Sequence, residues 1–464
     1  MIEKSNSTYI PIQFSYLILF VFVLLEVVFF DSSSIYNTII SYLEILFILI
    51  VFILNPKIGI MYYLSFIILT FGEWSYVLDS SNPQNFYGIR IFGISASTLL
   101  GFILFLLLIF NSKVKFKDII NEFEFKLFHY FILFTFLIGI INVLLGNNYF
   151  DNFISDVKTY LPFYLFAYFV FFIKPANCLK VLKYSFYLTF ISFLLSFILD
   201  QRFYYDSNNS YLLMNSVSYL FPVFFIFSYK FVNKIVSALI FLSMIYFYVT
   251  FNFFFSGKII FIFIFTLLWV ISLKINKKTL MIIIIILVFN LTLIIPYILD
   301  STSFFPAIVS YKLSQILSIF NFDFTVLPNT QTSVGNIVAE VITSFENLSN
   351  NLLSFVFGYG MGGAIEDSYG YLTSWVDAGG YGANNYIRNQ YYKMHLPVIE
   401  IFVKLGAIGV VFYTYMLNEI LKGKSFINLM LLIMLFFVFY TSKENLLLTL
   451  ILIQSVKHYK NIYN

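Results

Sequence analysis

Arg202 sits in Asp200-Gln-Arg-Phe-Tyr-Tyr-Asp-Ser-Asn-Asn209, a polar turn between two apolar runs. A guanidinium is planar, keeps its charge and binds phosphate oxygens two at a time, so Arg202 is a candidate ligand for a lipid pyrophosphate. Pairing with Asp200, Asp206 or a lipid head group is the plainer use of the same charge. Lys258 ends Phe253-Phe-Phe-Ser-Gly-Lys258, with barely any polar chain around it. A lysine that close to hydrocarbon is costly unless it faces a cavity or an anion, or snorkels to the interface along its own stem. His395 lies in Tyr391-Tyr-Lys-Met-His395. Imidazoles exchange protons near neutrality, which suits a general base on a sugar hydroxyl or a phosphate ligand. Glu400, five residues on, can orient such a partner or pair with Lys404 at the i, i+4 spacing. A hydrogen-bonded interfacial His with a structural Glu is the alternative.

Gly358-Tyr-Gly-Met-Gly-Gly363 has no Lys-Ser/Thr ending and follows no strand pattern, so it is not a nucleotide loop. Close backbone packing, or a turn near a substrate, is the expected role of Gly358 and Gly360. The stretch from Tyr369 to Tyr392, which contains Arg388, offers stacking faces and hydrogen-bonding edges of the kind that hold sugars. An interfacial aromatic belt is an equal alternative. No HExxH, CxxC or clustered-carboxylate metal pattern occurs, and the single Cys178 excludes a disulfide within the chain.

The elements that must position these groups follow from composition. Of 464 residues, 60% are hydrophobic, 22% aromatic and only 11% charged, and mean hydropathy is +0.89. Soluble domains carry about a quarter charged residues, so this chain is expected to be a polytopic membrane protein. Part of the bias, with 62 Phe and 36 Tyr, fits A/T-rich codons. Apolar runs place spans near 10–30, 37–55, 59–75, 91–110, 127–146, 159–173, 181–199, 211–228, 235–252, 259–273, 279–298, 395–420, 425–441 and 445–456. The expectation is therefore an all-α chain with about 14 transmembrane helices. The first run lacks a cleavage site and reads as a retained helix.

If the chain crosses alternately from an inside N-terminus, 18 of its 27 cations fall inside and all three Arg fall outside. The positive-inside bias then puts both termini in the cytoplasm. Three regions result: helices in 1–298, one large outer loop in 299–394, and C-terminal helices in 395–464. Loops that long are usually functional. Within it, Ser333 to Phe357 has the apolar spacing of an amphipathic helix on the membrane face.

Three pieces in this order resemble the bacterial O-antigen polymerase and O-antigen ligase superfamily. The turn with Arg202, followed by Asn209 and Asn215, is similar to its arginine-then-asparagine element. Phe254-Phe-Ser-Gly-Lys258 is similar to its Ser-Arg-Gly-type turn, with Gly-Lys here. Phe357-Gly-Tyr-Gly-Met-Gly, then His395 and Leu405-Gly-Ala-Ile-Gly409, is similar to the elements flanking its large periplasmic loop; the Asn usual after the His is Leu396.

The resemblance implies a GT-C-like glycosyltransferase in the bacterial inner membrane, working on undecaprenyl-pyrophosphate-linked oligosaccharides at the periplasmic face. It implies no metal, cofactor or nucleic acid, contacts with membrane lipids, and a chain-length regulator protein as a possible partner. Arg202, Lys258 and Arg388 would meet the pyrophosphate, Asn215, Gly358, Gly360 and Tyr392 the glycan or its loop, and His395 or Glu400 would be the base. A polymerase is favoured over a ligase acting on lipid A core. A lipid-linked oligosaccharide flippase is the competing class, but it would show more charge inside its spans than Glu26, Glu44 and Glu400.

Overall fold

The computed structural model describes residues 12–29, 34–69, 90–91, 94–111, 116–121, 123–199, 202–204, 210–212, 333–368, 370–372, 387–392, 394 and 397–420, with scattered positions in 235–282 and 447–455. Their order is α1 (Ile12–Val28), α2 (Ser34–Leu54), α3 (Pro56–Leu69), β1 (Arg90–Ile91), β2 (Ile94–Ser95), α4 (Ala96–Asn111), α5 (Phe116–Asn121), α6 (Phe123–Leu144), α7 (Phe150–Tyr160), α8 (Pro162–Ile173), α9 (Pro175–Ile198), β3 (Arg202–Tyr204), β4 (Ser210–Leu212), α10 (Ser333–Ser349), α11 (Leu352–Phe357) and α12 (Pro397–Ile420). The strands form two short antiparallel hairpins, with Arg90 opposite Ser95 and Arg202 opposite Leu212.

Among the described residues, three helices are long and apolar enough to cross a membrane: Phe150–Ile173, Pro175–Ile198 and Val398–Tyr415. Several others are apolar but shorter. These helices suggest membrane association and are compatible with an all-α membrane protein. Large exposed side chains such as Ile53, Phe110, Leu144 and Val411 suit an apolar surround better than water. Four helices begin on proline, α3, α8, α9 and α12. At a first helical position the missing N–H has no intrahelical partner to lose, and the fixed φ suits the helix.

The chain divides into two compact units. One comprises Met1–Asn121, Pro162–Phe251 and Glu444–Asn464, and the other Glu122–Leu161 and Asn252–Lys443. In the first, α3 is buried along its whole length from Ile58 to Leu69 and packs on α2, α8 and α9. Tyr63 Oη donates to the Ser97 carbonyl at 2.9 Å, beside Gly101, where a methyl group would meet that tyrosine ring. In the second, α12 packs on α6, α10 and α11, and α6 packs on α7.

The described helices fall on the expected spans from the first to the seventh and again at 395–420, with two differences. The run expected from 159 begins at Phe150, because α7 is amphipathic rather than apolar. Its buried face is Asn152, Phe153, Asp156 and Tyr160, while Asp151, Ser155 and Lys158 lower its hydropathy. The single helix expected over Ser333–Phe357 is two. Asn351 has an extended backbone, and its side chain caps α11 by accepting from Leu353 N at 2.9 Å. An asparagine cap ends one helix and starts another more readily than it sits inside one. The spans expected near 211–228, 259–273, 279–298 and 425–441 lie outside the described residues, apart from Ile282 and from Tyr211 and Leu212, which belong to β4.

Candidate functional site

Helix α7 brings together several charged and polar residues of the second unit. Its Asp151 pairs with Arg388 Nη1 at 2.9 Å. Ser155 Oγ lies 3.5 Å from Tyr392 Oη. Asp156 Oδ2 lies 3.1 Å from the Lys404 ammonium and accepts the Gly362 N–H at 2.6 Å. Asp151 and Ser155, four residues apart, share one side of the helix, and Asp156 lies on its buried face. Lys404 also pairs with Glu400, one turn back on α12, and sits over the Tyr160 ring at 5.4 Å. Its side chain is 0% exposed. Two carboxylates and one ammonium therefore share a buried position, where a single unpaired charge would be strongly unfavourable.

The glycine turn forms the other wall. Helix α12 breaks at Gly406, whose φ of 61° and ψ of −159° are not helical. The break frees the carbonyls of Val403 and Lys404 from their usual donors, and the turn supplies replacements. Tyr359 N donates to Val403 O at 2.9 Å and Gly360 N to Lys404 O at 2.7 Å. Met361 N donates to Thr135 O of α6 at 2.9 Å, and Gly363 N to Gly360 O at 3.0 Å. Asn142 and Asn148 Nδ2 donate to Tyr359 O at 3.0 and 2.8 Å.

Every N–H from Gly358 to Gly363 is thus engaged by protein, since Gly358 N donates to Ser354 O and Gly362 N to Asp156. The turn is a packing device that leaves no free N–H for a phosphate. Glycine is required by space as well as by φ: a methyl at Gly360 would fall on Gly139 N and Cα, and one at Gly358 on the Lys404–Gly406 backbone.

A cavity of about 290 Å³ lies beside this latch, lined by Phe131, Phe134 and Leu137 of α6 and by Leu405, Ile408 and Phe412 of α12. It is apolar throughout and begins one residue past Lys404. On the polar side, the Arg388 guanidinium stacks on Tyr149 at 4.6 Å and its side chain remains 35% exposed. Tyr359 Oη donates to the Asn347 carbonyl at 3.0 Å, and burial holds this phenol above the usual tyrosine range. Asp367 braces the loop by accepting from Tyr371 N at 3.0 Å and Leu372 N at 2.7 Å.

Of the residues singled out in the sequence, Gly358, Gly360, Arg388, Tyr392 and Glu400 belong to this unit, and α7 and α12 hold the last three. Glu400 pairs with Lys404 as its spacing foretold. Arg202 lies in the first unit, in β3, and its side chain is outside the described residues, as are Asn215, Lys258 and His395. Asp156 and Asn148 were not anticipated. Their signal was present in α7 and the turn before it, as polar residues recurring between apolar ones next to a long apolar run. Among the described residues no group of three or more His, Cys, Asp or Glu could hold a metal ion. No protein family, curated protein or solved structure matches the chain.

Proposed function

We propose that the chain is a multi-pass glycosyltransferase of the bacterial inner membrane with about 14 spans and both termini in the cytoplasm. In this reading it is a polymerase that joins undecaprenyl-pyrophosphate-linked oligosaccharide repeat units at the periplasmic face. The observation that carries the reading is the contact between Gly358–Gly363 and Val403–Gly406. Two parts of the third piece of the resemblance, separate in sequence, form one structural unit, set between an apolar groove and a polar face with a partly exposed arginine.

The chemistry follows from those surroundings. The donor's C1–O bond to pyrophosphate breaks, undecaprenyl pyrophosphate leaves, and the acceptor hydroxyl oxygen forms the new glycosidic bond. Arg388 stabilises the negative charge that grows on the leaving group; the resemblance gives Arg202 and Lys258 the same role. His395 takes the hydroxyl proton. Glu400 is a positioning residue, because it is committed to Lys404 and through it to α7. The apolar groove takes part of the polyprenyl tail.

Deleting the gene in its host tests the reading. A polymerase predicts surface lipopolysaccharide capped with a single repeat unit. Uncapped core would indicate a ligase, inward-facing lipid-linked intermediates a flippase, and long glycan of normal length would remove all three.

A further inference from the structure

Helices α1 and α2 of the first unit each carry one glutamate in an apolar sequence: Glu26 in Phe22-Val-Leu-Leu-Glu-Val-Val28 and Glu44 in Ile39-Ile-Ser-Tyr-Leu-Glu-Ile-Leu46. Both are buried, Glu44 completely. The helices run antiparallel in contact, and aromatic pairs bracket the two carboxyls. Phe22 meets Phe47 at 5.4 Å on one side and Phe29 meets Tyr36 at 5.5 Å on the other. These pairs place both carboxyls in the same stretch of the seam between α1 and α2. Yet Glu26 Oε1 and both Glu44 oxygens have no donor. Carboxylate oxygens only accept, so two carboxyls in one seam bond to each other only when a proton lies between them.

A second group points to the same place. Ser41 is fully buried one turn before Glu44, and helical side chains lean toward the N-terminus, over that turn. Ser65, Ser196 and Ser455 each donate to the carbonyl four residues back. Ser41 Oγ does not and has no partner. The titratable groups that α3 and α9 bring to α1 are Tyr62 and Tyr184, which gather around Tyr16. Ten residues separate Tyr16 from Glu26, roughly 15 Å of helix. No cation among the described residues pairs with either glutamate.

We propose that Glu26 and Glu44, with Ser41 beside them, form a proton-binding site between α1 and α2 that holds at least one proton at neutral pH. The site is independent of the glycosyltransferase reading and rests only on these helices lying in the membrane, where paired, ionisable groups mark function more often than packing. Charge-assisted O–H···O⁻ bonds between facing carboxyls are short and strong, which gives the proton a defined seat.

Infrared spectroscopy of the full chain in lipid nanodiscs in deuterated buffer at neutral pD tests this. The difference between wild type and the E26Q/E44Q double variant should contain a protonated carboxyl C=O band. Its absence, with two carboxylate bands in its place, would overturn the proposal, as would a C=O band that sodium chloride abolishes and potassium chloride does not, because the ligand would then be a sodium ion. If the double variant does not fold, a hydrophobic carbodiimide applied to the wild type replaces it, since such reagents attack protonated carboxyls. An adduct on Glu26 or Glu44 at pH 7, located by mass spectrometry, is expected, and adducts on neither would overturn the site.

Discussion

The Lys404 ammonium lies 3.1 Å from Asp156 Oδ2, so a cation on the last described helix is neutralised by a helix far earlier in the chain. This pair, completed by Glu400, holds α12 against α7 at the point where α12 is broken. Removing the cation leaves two buried carboxylates facing one another. Lys404→Met is expected to destabilise the second unit by about 3–5 kcal/mol. Thermal unfolding in detergent would measure it, and K404M/D156N/E400Q should recover much of the loss. Equal damage in the single and triple variants would mean that packing, not charge, is what Lys404 supplies.

Gly360 and Gly146 share nearly the same φ, 77° and 76°, but not the same space. Gly146→Ala meets no atom within 4 Å and should cost only the left-handed backbone penalty, about 1–2 kcal/mol. Gly360→Ala adds an overlap with the Gly139 backbone, with a further cost of about 1–3 kcal/mol. Comparing the two melting temperatures separates the contributions.

Tyr359→Phe removes the donor to the Asn347 carbonyl and should lower stability by about 1 kcal/mol. Burial raises the folded pKa of this phenol, so its contribution is complete below the unfolded value of about 10 and is lost as pH climbs through the folded value. Urea titrations of wild type and Y359F should therefore differ by a constant amount up to about pH 9 and converge above it.

Arg388 is partly exposed and paired with an Asp151 that is itself largely exposed, so Arg388→Ala should change stability by less than about 1 kcal/mol. A charge-assisted hydrogen bond to phosphate contributes about 1.5–3 kcal/mol, so the same variant should lower glycan-joining activity roughly 10- to 100-fold. Arg388→Lys should restore part of it, because an ammonium keeps the charge but not the two-point geometry. Full activity in R388A would take Arg388 out of the site.

The apolar helices were legible because their signal is local: long runs of Phe, Ile and Leu, and prolines where helices begin. The Glu400–Lys404 pair was legible for the same reason, being one turn apart. Asp156 was not, because its partner arrives from a distant helix and a single aspartate on an amphipathic segment reads as a solvated face. The role of the glycine turn was half legible. Its composition gave the tight packing, but that its N–H groups replace those lost at Gly406 depends on a helix break that a lone glycine in an apolar run does not announce.

The most direct measurement is a reconstituted assay: the purified chain in vesicles, supplied with undecaprenyl-pyrophosphate-linked repeat units, with products separated by size. The account predicts a ladder of lengthened glycans with release of undecaprenyl pyrophosphate, reduced at least tenfold in Arg202→Ala and Lys258→Ala while both variants remain folded. Repeat units that cross the vesicle wall without lengthening, or a ladder undiminished in both variants, would contradict it.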